Sequence, residues 1–355
     1  MLYKPNLEET IQRHCAFWNR QMPDRILCRI NVREGDTGAG EETFMDHIPD
    51  IEKMYLDFEH WVKAKRKLED DSFPIVCPNF GVGIVGGYFG AEVTFESGTS
   101  WAAPILKDYR DLSKIRYEPD NYWIKKANEC LRYYLEKGKE KLAIGMIDTC
   151  GPIDAAFILR GSGIMTDFYD HPKKLHRLLD LITEFTIKFV EAQLEIVGQF
   201  KGGIFSSWVG WWVPGRPVSI TEDEFALCNP SFYSEFGLPY AQRLIDHFRG
   251  GWVHLHTLGL HTLPEMVKLK NLMGIQISDD PNSPKAFEKL SWLKDLVGDI
   301  PINITCTLEE FLDGLEQRTL PGNVIYDVSA EGYKPLPITV DEANILMERI
   351  KEYRS

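Results

Sequence analysis

The sequence lacks the features that mark secreted and membrane-embedded proteins. Its seven cysteines are scattered, odd in number and never spaced as C-x-x-C, which is typical of reduced thiols rather than of a disulfide framework. No apolar run approaches the roughly 18 to 20 residues of a membrane span. The first ten residues are charged from the fourth onward and hold no apolar signal core. We therefore expect a cytoplasmic protein that does not associate with membranes.

Positive charge is also scarce. The chain has 40 lysines and arginines against 53 aspartates and glutamates, a net charge of −13. Nucleic acids and anionic membrane surfaces attract basic patches, so this balance argues against both as partners. We expect instead a protein that acts on a small molecule, as a monomer or a homodimer.

Two common catalytic motifs, the G-x-S-x-G elbow and the P-loop lysine, do not occur. G-V-G-I-V-G (Gly81–Gly86) matches the dinucleotide pattern G-x-G-x-x-G, but aromatic and β-branched residues follow it rather than a clear helix. A loop near a ligand is favoured there, and no nucleotide cofactor is expected. Cys150 has no nearby histidine in the sequence to serve as its base, so a packing role is favoured over nucleophilic catalysis.

What the chain does contain is a regular alternation of short apolar runs and segments of helical period. The composition, 44% hydrophobic and 26% charged over 355 residues, is ordinary for a globular protein. Several runs are continuously apolar, as expected for strands that are covered on both faces. The predicted strands are Arg25–Val32, Phe73–Phe80, Leu142–Thr149, Gly202–Trp208, Trp252–His256, Met273–Asp279, Ile300–Cys306 and Asn323–Val328.

Eight strand–helix alternations predict an α/β fold, a single (β/α)₈ TIM barrel with additional N-terminal helices. We expect residues 1–355 to form one domain, in which residues 1–24 are a helical extension, because no linker rich in Gly, Ser or Pro interrupts the chain. A doubly wound open sheet is the competing architecture. Predicted helices cover Leu7–Arg20, Phe44–Asp71, Pro172–Val197, Glu222–Phe248, Pro284–Leu296 and Val340–Ile350.

In such barrels the active site lies where the strands end and the βα loops gather. Polar residues at the ends of otherwise apolar strands need hydrogen-bonding partners or a function. The candidates collected in this way are Arg33, Asn79, Asp148, Cys150, Ser207, Trp208, His254, His256, Asp279, Asp280, Cys306 and Asp327.

The strongest local signal is a pair of histidines in W-V-H-L-H-T-L-G-L-H. His254 and His256 are two residues apart, so on a strand both point to the same face, a geometry that suits one metal ion. Two catalytic acid/base groups, or two hydrogen-bonded histidines without a function, remain open from the sequence. His261 lies beyond the strand and is not expected to be a third ligand.

An aromatic loop, S-W-V-G-W-W-V-P-G-R-P, follows the predicted fourth strand. Trp208, Trp211 and Trp212 can form a wall for a planar or apolar ligand or can simply fill the core, and the sequence does not decide between these. Arg216 is a candidate for holding a substrate carboxylate.

The chain resembles the uroporphyrinogen decarboxylase superfamily, which also contains corrinoid-linked methyltransferases and, more distantly, cobalamin-independent methionine synthase. The resemblance is carried by I-G-M-I-D-T-C-G-P-I-D-A-A-F-I-L-R-G-S-G-I-M-T-D-F-Y-D-H-P (Ile144–Pro172), F-G-A-E-V-T-F-E-S-G (Phe89–Gly98) and N-P-S-F-Y-S-E-F-G-L-P-Y (Asn229–Tyr240). It implies a (β/α)₈ fold over most of the chain.

Several positions depart from the decarboxylases of this family. Asn79 or Gly81 stands where they carry a catalytic aspartate, and Phe157 or Ile158 where they carry a tyrosine. Arg29 and Arg33 only loosely replace their substrate-binding arginines. We therefore expect decarboxylation of uroporphyrinogen to be absent or negligible.

The methyltransferase branch carries zinc on an H-x-C motif and a later cysteine. His254 matches the histidine, His256 replaces the cysteine, and the later cysteine falls near Ser329 and is missing. If zinc or another divalent metal is bound, we expect His254 and His256 to hold it together with a carboxylate. Asp279 is the first candidate for this carboxylate and Asp327 the second.

The resemblance implies an enzyme, a methyltransferase that moves a methyl group between a small donor and a corrinoid, carried on a partner protein, or another acceptor. His254, His256 and Asp148 are its expected catalytic groups, and Asn79, Trp208, Trp211, Trp212 and Arg216 its expected substrate contacts. The alternatives are a decarboxylase or lyase acting on a tetrapyrrole or carboxylated aromatic, and a non-catalytic protein that binds a corrinoid or small molecule.

Overall fold

The computed structural model describes residues 1–32, 48–96 and 98–355. Its strands are β1 (Leu27–Ile30), β2 (Ile75–Val76), β3 (Val93–Glu96), β4 (Thr99–Ala102), β5 (Ala143–Ile144), β6 (Gly203–Phe205), β7 (Trp212–Pro214), β8 (Val218–Thr221), β9 (Gly251–His256), β10 (Leu272–Ser278), β11 (Ile302–Cys306) and β12 (Val324–Val328). Its α-helices are α1 (Leu7–Trp18), α2 (Ile51–Ala64), α3 (Ile84–Tyr88), α4 (Tyr122–Gly138), α5 (Pro152–Arg160), α6 (Ile164–Asp170), α7 (Pro172–Val197), α8 (Pro230–Phe232), α9 (Leu238–Phe248), α10 (Leu263–Met266), α11 (Leu290–Val297), α12 (Leu308–Gln317) and α13 (Val340–Glu352).

The main sheet has six parallel strands in the order β1-β12-β11-β10-β9-β8. A second parallel pair joins β2 to β5, and two antiparallel pairs join β3 to β4 and β6 to β7. Helices connect the parallel strands, as this strand direction requires. The predicted α/β class with a parallel sheet is confirmed.

Hydrogen bonds link the two parallel sheets at both ends. On one side, the backbone N–H of Asp71, just before β2, donates to the carbonyl of Cys28 in β1 at 2.9 Å. On the other side, the N–H of Gly151, after β5, donates to Oγ1 of Thr221 in β8 at 2.8 Å. These contacts connect the segments that flank the short parallel pair to β1 and β8, the two edge strands of the six-stranded sheet.

One predicted strand is assigned differently in the structure. Residues 203–205 of the predicted fourth strand pair in antiparallel fashion with β7. The strand that pairs with β9 on the side away from β10 is β8, which is not among the predicted strands. The strand Val218–Thr221 has only four residues and follows a Gly-Pro-rich turn, so its apolar run was too short to stand out.

The helices agree with the predicted ones to different degrees. The predicted helix Pro172–Val197 is observed with those bounds, and α1 and α13 lie within one or two residues of the predicted ends. The predicted helix Glu222–Phe248 is broken into a 3₁₀ turn (Asp223–Leu227), α8, a π turn and α9. Asn229 begins α8 by accepting from the N–H of Ser231, because Asn is a strong N-cap residue.

The apolar core has two parts. The larger one fills the space between the main sheet and its helices. The smaller one lies under α1 and includes Trp18, Trp211, Trp212 and Trp252. Within the described residues no helix is both long and apolar enough to cross a membrane.

Candidate active site

A cavity of about 1620 Å³ opens at the edge where the parallel strands end. Its lining comes from the segments at the carboxyl ends of β1, β2, β5, β8, β9, β10, β11 and β12. This is the position that parallel strands joined by helices give to an active site. The side chains at these strand ends therefore decide what the protein can do.

His254 and His256 both line this cavity from the end of β9. Their ring centroids lie 5.0 Å apart with an interplanar angle of 80°. The i, i+2 spacing places both imidazoles on one face of the strand. His254 is buried and His256 is half-buried, so one ring forms the floor of this part of the cavity and the other reaches further out.

The neighbouring strand end orients both imidazoles. Nδ1 of His254 is hydrogen-bonded to Oε1 of Gln276, whose amide nitrogen donates to Oγ of Ser278 at 3.2 Å. Nδ1 of His256 lies 3.0 Å from Oδ1 of Asp280. Since Nδ1 of each ring donates to these acceptors, Nε2 is the nitrogen left to accept a proton or bind a metal. Such outer partners are typical of metal-ligating histidines.

Asp223 is a third potential metal ligand beside the two histidines. One ligand atom from each of Asp223, His254 and His256 lies within 4.8 Å of the other two. Oδ1 of Asp223 lies 3.4 Å from Nε2 of His254, yet this buried oxygen has no hydrogen-bond partner among the described residues. Two imidazoles and a carboxylate form a donor set that suits zinc or another divalent transition metal. The orphaned oxygen fits such a ligand role.

The carboxylates predicted as metal ligands have other partners. Arg29 forms a two-pronged ion pair with Asp327, and the amide of Asn303 donates to the same carboxylate at 3.0 Å. Asp279 accepts from the backbone N–H of Ala286 at 2.8 Å. Both line the cavity, but neither converges with the histidines. Among the described residues, the carboxylate that converges with the histidines is Asp223, because the chain brings it from the end of β8, the other neighbour of β9.

Burial and mutual repulsion raise the pKa values of several carboxyls here. Burial, followed by the charges of Asp154 and Asp148, raises the pKa of Asp223 to about 8. Burial, followed by the charge of Asp154, raises the pKa of Glu224 to about 7. Burial and the charge of His256 lower the pKa of His254 to about 4. His254 is therefore neutral near pH 7, which is the form that binds metals.

Asp148 and Trp208 form a second part of the site. Burial raises the pKa of Asp148 to about 6, and the nearby side chain of Trp208 partly offsets this effect. The Trp208 ring lies 4.7 Å from that of His254, at 88°. Its side chain is 42% exposed and lines the cavity. Asn79 lies in the lining too, with its side-chain oxygen accepting from the N–H of Gly81 at 2.8 Å.

Residues 75–212 match the sequence model of the family described as Uroporphyrinogen decarboxylase (URO-D). The predicted resemblance to the URO-D superfamily is thus confirmed. The matched residues include Asn79, Asp148 and Trp208, and the two histidines lie beyond them. The URO-D match therefore supports the fold and one side of the cavity rather than the histidine site.

A solved structure of a methyltransferase from Methanosarcina mazei is also similar, over 97% of this chain and 98% of that chain. The TM-score is 0.61 and the sequence identity is 15%, which shows a shared fold. A comparison with curated proteins finds no match.

Three residues predicted to contact substrate lie elsewhere. Trp211 and Trp212 are each 1% exposed and pack in the smaller core, and the indole N–H of Trp212 donates to the carbonyl of Phe200 at 2.8 Å. Arg216 is exposed in the turn before β8, at the end of that strand away from the cavity. The predicted wall is therefore corrected to Trp208 alone, because the antiparallel return through β7 carries the other residues away from the cavity.

Other candidates have ordinary roles. Burial raises the pKa of the Cys150 thiol well above its usual value, which disfavours the thiolate that a nucleophile needs. Nε2 and Nδ1 of His261 contact the backbone carbonyls of Cys228 and Leu258. Ser207 is buried and Cys306 lies in the core. Arg33 lies outside the described residues.

Sequence reasoning missed Asp223 as a site residue and took it for the start of a helix. It does lie in the first turn of a 3₁₀ helix, and Asp154 accepts from its N–H at 3.2 Å and from that of Glu224 at 3.0 Å. The usable signal was T-E-D-E, a cluster of acids directly after an apolar run, which marks a strand end as readily as a helix start.

Proposed function

We propose that this protein is a methyltransferase-like enzyme that takes a methyl group from a small donor bound in the cavity beside Asp148, Trp208 and the two histidines. The observation that carries the proposal is the convergence of Asp223, His254 and His256 at the end of β9. The similarity to the methyltransferase from Methanosarcina mazei supports it. We further propose that the eight parallel strands close into a (β/α)₈ barrel, with the hydrogen bonds at Asp71 and Gly151 at the two seams.

The proposed metal, zinc or another divalent ion, would be held by Asp223, His254 and His256. When bound, it would supply a Lewis acid next to the atom that gives up or receives the methyl group. Gln276 and Asp280 would keep Nε2 of each ring directed at it. Trp208 would limit the access of water from one side.

Burial raises the pKa of Asp148 into the range where a carboxyl can exchange protons near neutral pH. Its raised pKa of about 6 lets it donate a proton to a leaving oxygen or nitrogen in mildly acidic solution, and holds it as an anion above that pH. We propose that the methyl acceptor is a nucleophile that enters through the mouth of the cavity, a reduced corrinoid on a partner protein being the first candidate.

The alternative of a decarboxylase acting on a carboxylated tetrapyrrole finds less support. Asn79, an amide, holds the place of the family's catalytic aspartate, and it already accepts a hydrogen bond from Gly81. The acidic side chains of Asp148 and Asp154 line the cavity and would disfavour the carboxylates of such a substrate.

The test mixes the purified protein, zinc and cob(I)alamin with a panel of methyl donors and follows methylcobalamin by its absorbance. We expect formation that depends on the protein and is lost in His256→Ala, while the surface variant Asp180→Asn keeps it. Coproporphyrinogen produced from uroporphyrinogen would overturn the proposal in favour of a decarboxylase. Binding of cobalamin or donor without any turnover would instead point to a binding protein.

A further inference from the structure

The cavity beside the histidines is lined by acidic rather than basic side chains. Asp148, Asp154, Asp223 and Glu224 all line it. Within residues 1–32, 48–96 and 98–355, no lysine or arginine forms an ion pair with any of these four carboxyls. Even with a divalent ion held by Asp223, the other three would have no lysine or arginine as a partner in the part of the chain that the structure describes.

The arginine and one of the lysines that line the same cavity are already paired. Arg29 is bound by Asp327, and Lys4 by Asp70, with 3.3 Å between its Nζ and the carboxylate oxygen. Both pairs lie away from the four carboxyls, on the side of β1 and β12. A substrate with a carboxylate or phosphate would therefore meet acidic side chains and, among the described residues, no lysine or arginine partner at the histidine side.

Aromatic rings line the same cavity as these carboxyls. Trp208 lines the cavity and lies close enough to Asp148 to influence the pKa of this carboxyl. Phe157 also lines it, one turn of α5 after Asp154, so this carboxyl and this ring share one face of the helix. Aromatic rings beside carboxylates are the groups that recognise organic cations such as quaternary ammonium ions.

We infer that the substrate of this site is a small organic cation that carries its methyl group on a positively charged nitrogen or sulfur. The inference rests on the proposed function, since it takes this cavity as the donor site and names the class of donor. Asp148 then acts through its charge, and Trp208 and Phe157 supply the surrounding rings.

Methyl transfer from a cationic donor also needs fewer catalytic groups than transfer from a neutral one. The bond between the methyl carbon and the cationic nitrogen or sulfur breaks with its electron pair going to that atom, which leaves as a neutral amine or thioether. The methyl carbon forms its new bond with the electron pair of the nucleophilic acceptor, a cobalt(I) corrinoid or a thiolate. No proton has to reach the leaving atom, so the transfer needs no protonated acid at Asp148.

The experiment compares two ligands of the same shape on the full chain by calorimetry, with zinc present and absent. Choline is the cation, and 3,3-dimethyl-1-butanol is its neutral carbon counterpart. We expect choline to bind at least about tenfold more tightly, since a desolvated cation gains from both rings and carboxylates. Equal affinity, or no binding of either at tens of millimolar, would overturn the inference.

Asp148→Asn tests the charge while keeping the shape of the side chain. We expect it to weaken choline binding about fivefold to tenfold and to leave the alcohol unchanged, whereas Asp180→Asn, on the exposed face of α7, should change neither. Unchanged choline affinity in Asp148→Asn would also overturn the inference. Because calorimetry needs no turnover, selective choline binding without methyl transfer would defeat only the proposed function. Methyl transfer from neutral donors without cation selectivity would defeat only the inference.

Discussion

His256 and Asp280 are joined across two adjacent parallel strands, with 3.0 Å between Nδ1 of the imidazole and Oδ1 of the carboxylate. The other oxygen of Asp280 accepts from the backbone N–H of Leu258 at 2.8 Å, so the carboxylate is fixed on both sides. His256 is therefore held in one ring orientation although its side chain is half-buried. The pair makes Asp280 a positioning residue for the proposed metal.

Asp280→Asn should weaken metal binding without removing a ligand. An amide that presents its NH₂ group to Nδ1 no longer fixes the tautomer that leaves Nε2 free. Loss of such a partner weakens metal affinity about 10-fold to 100-fold. Competition for zinc against a chromophoric chelator measures the change, and Asp246→Asn, an exposed carboxyl on α9, is the control. Equal zinc affinity in both variants would contradict the positioning role.

Asp223→Asn tests whether the carboxylate ligand is Asp223, as the observed cluster indicates, or Asp279, as the sequence suggests. We expect zinc affinity to fall at least about tenfold, because a charged ligand becomes neutral. Asp279→Asn changes another carboxyl of the same cavity and should leave zinc affinity as it is. Metal analysis after dialysis against a weak chelator provides the readout. If Asp279→Asn loses the metal and Asp223→Asn retains it, the assignment is wrong.

Trp212→Ala should destabilise the fold far more than Trp208→Ala. Trp212 is 1% exposed in the smaller core, and truncation of such a side chain costs about 3 to 5 kcal/mol. Trp208 is 42% exposed, so less apolar surface is lost from the folded state. Urea denaturation gives the two free energies of unfolding. Similar losses in the two variants would mean that Trp208 is a core residue as well.

Stability should fall as the pH drops below neutrality, partly through His14. This side chain is 0% exposed, and its Nε2 lies 2.8 Å from the carbonyl of Asp71. Burial lowers its pKa from 6.5 to about 4, so the unfolded chain binds the proton first. The stability held by the neutral form is present above about pH 6.5 and is lost as the pH falls toward 4.

The expected loss from this one group is about 2 kcal/mol between pH 7 and about pH 5, from 1.36 kcal/mol for each unit of pKa. His14→Gln keeps a side-chain N–H donor and removes the titration, so its unfolding free energy should depend less on pH by about that amount. Denaturation of both proteins at several pH values makes the comparison. Parallel curves would show that His14 does not contribute.

Some parts of this molecule can be predicted from its sequence and others cannot. The histidine pair was visible because i, i+2 spacing is a local property, and long amphipathic segments such as α7 were visible through their period. Asp223 was not, since its role depends on β8 lying beside β9, which no local pattern of four residues reveals. Trp211 and Trp212 were placed in the cavity because the antiparallel return through β7 is a tertiary arrangement.

The contacts of Arg29 determine when this site is complete. Its guanidinium is bound by Asp327, 298 residues further along the chain, and donates to the carbonyl of Val209, next to Trp208. A ribosome that has released the first two thirds of the chain has already delivered Arg29 and Trp208, but not the carboxylate that joins β1 to β12. The cavity therefore lacks part of its lining until β12 is made, and a chain truncated before β12 would keep the indole while losing the ion pair that fixes its loop.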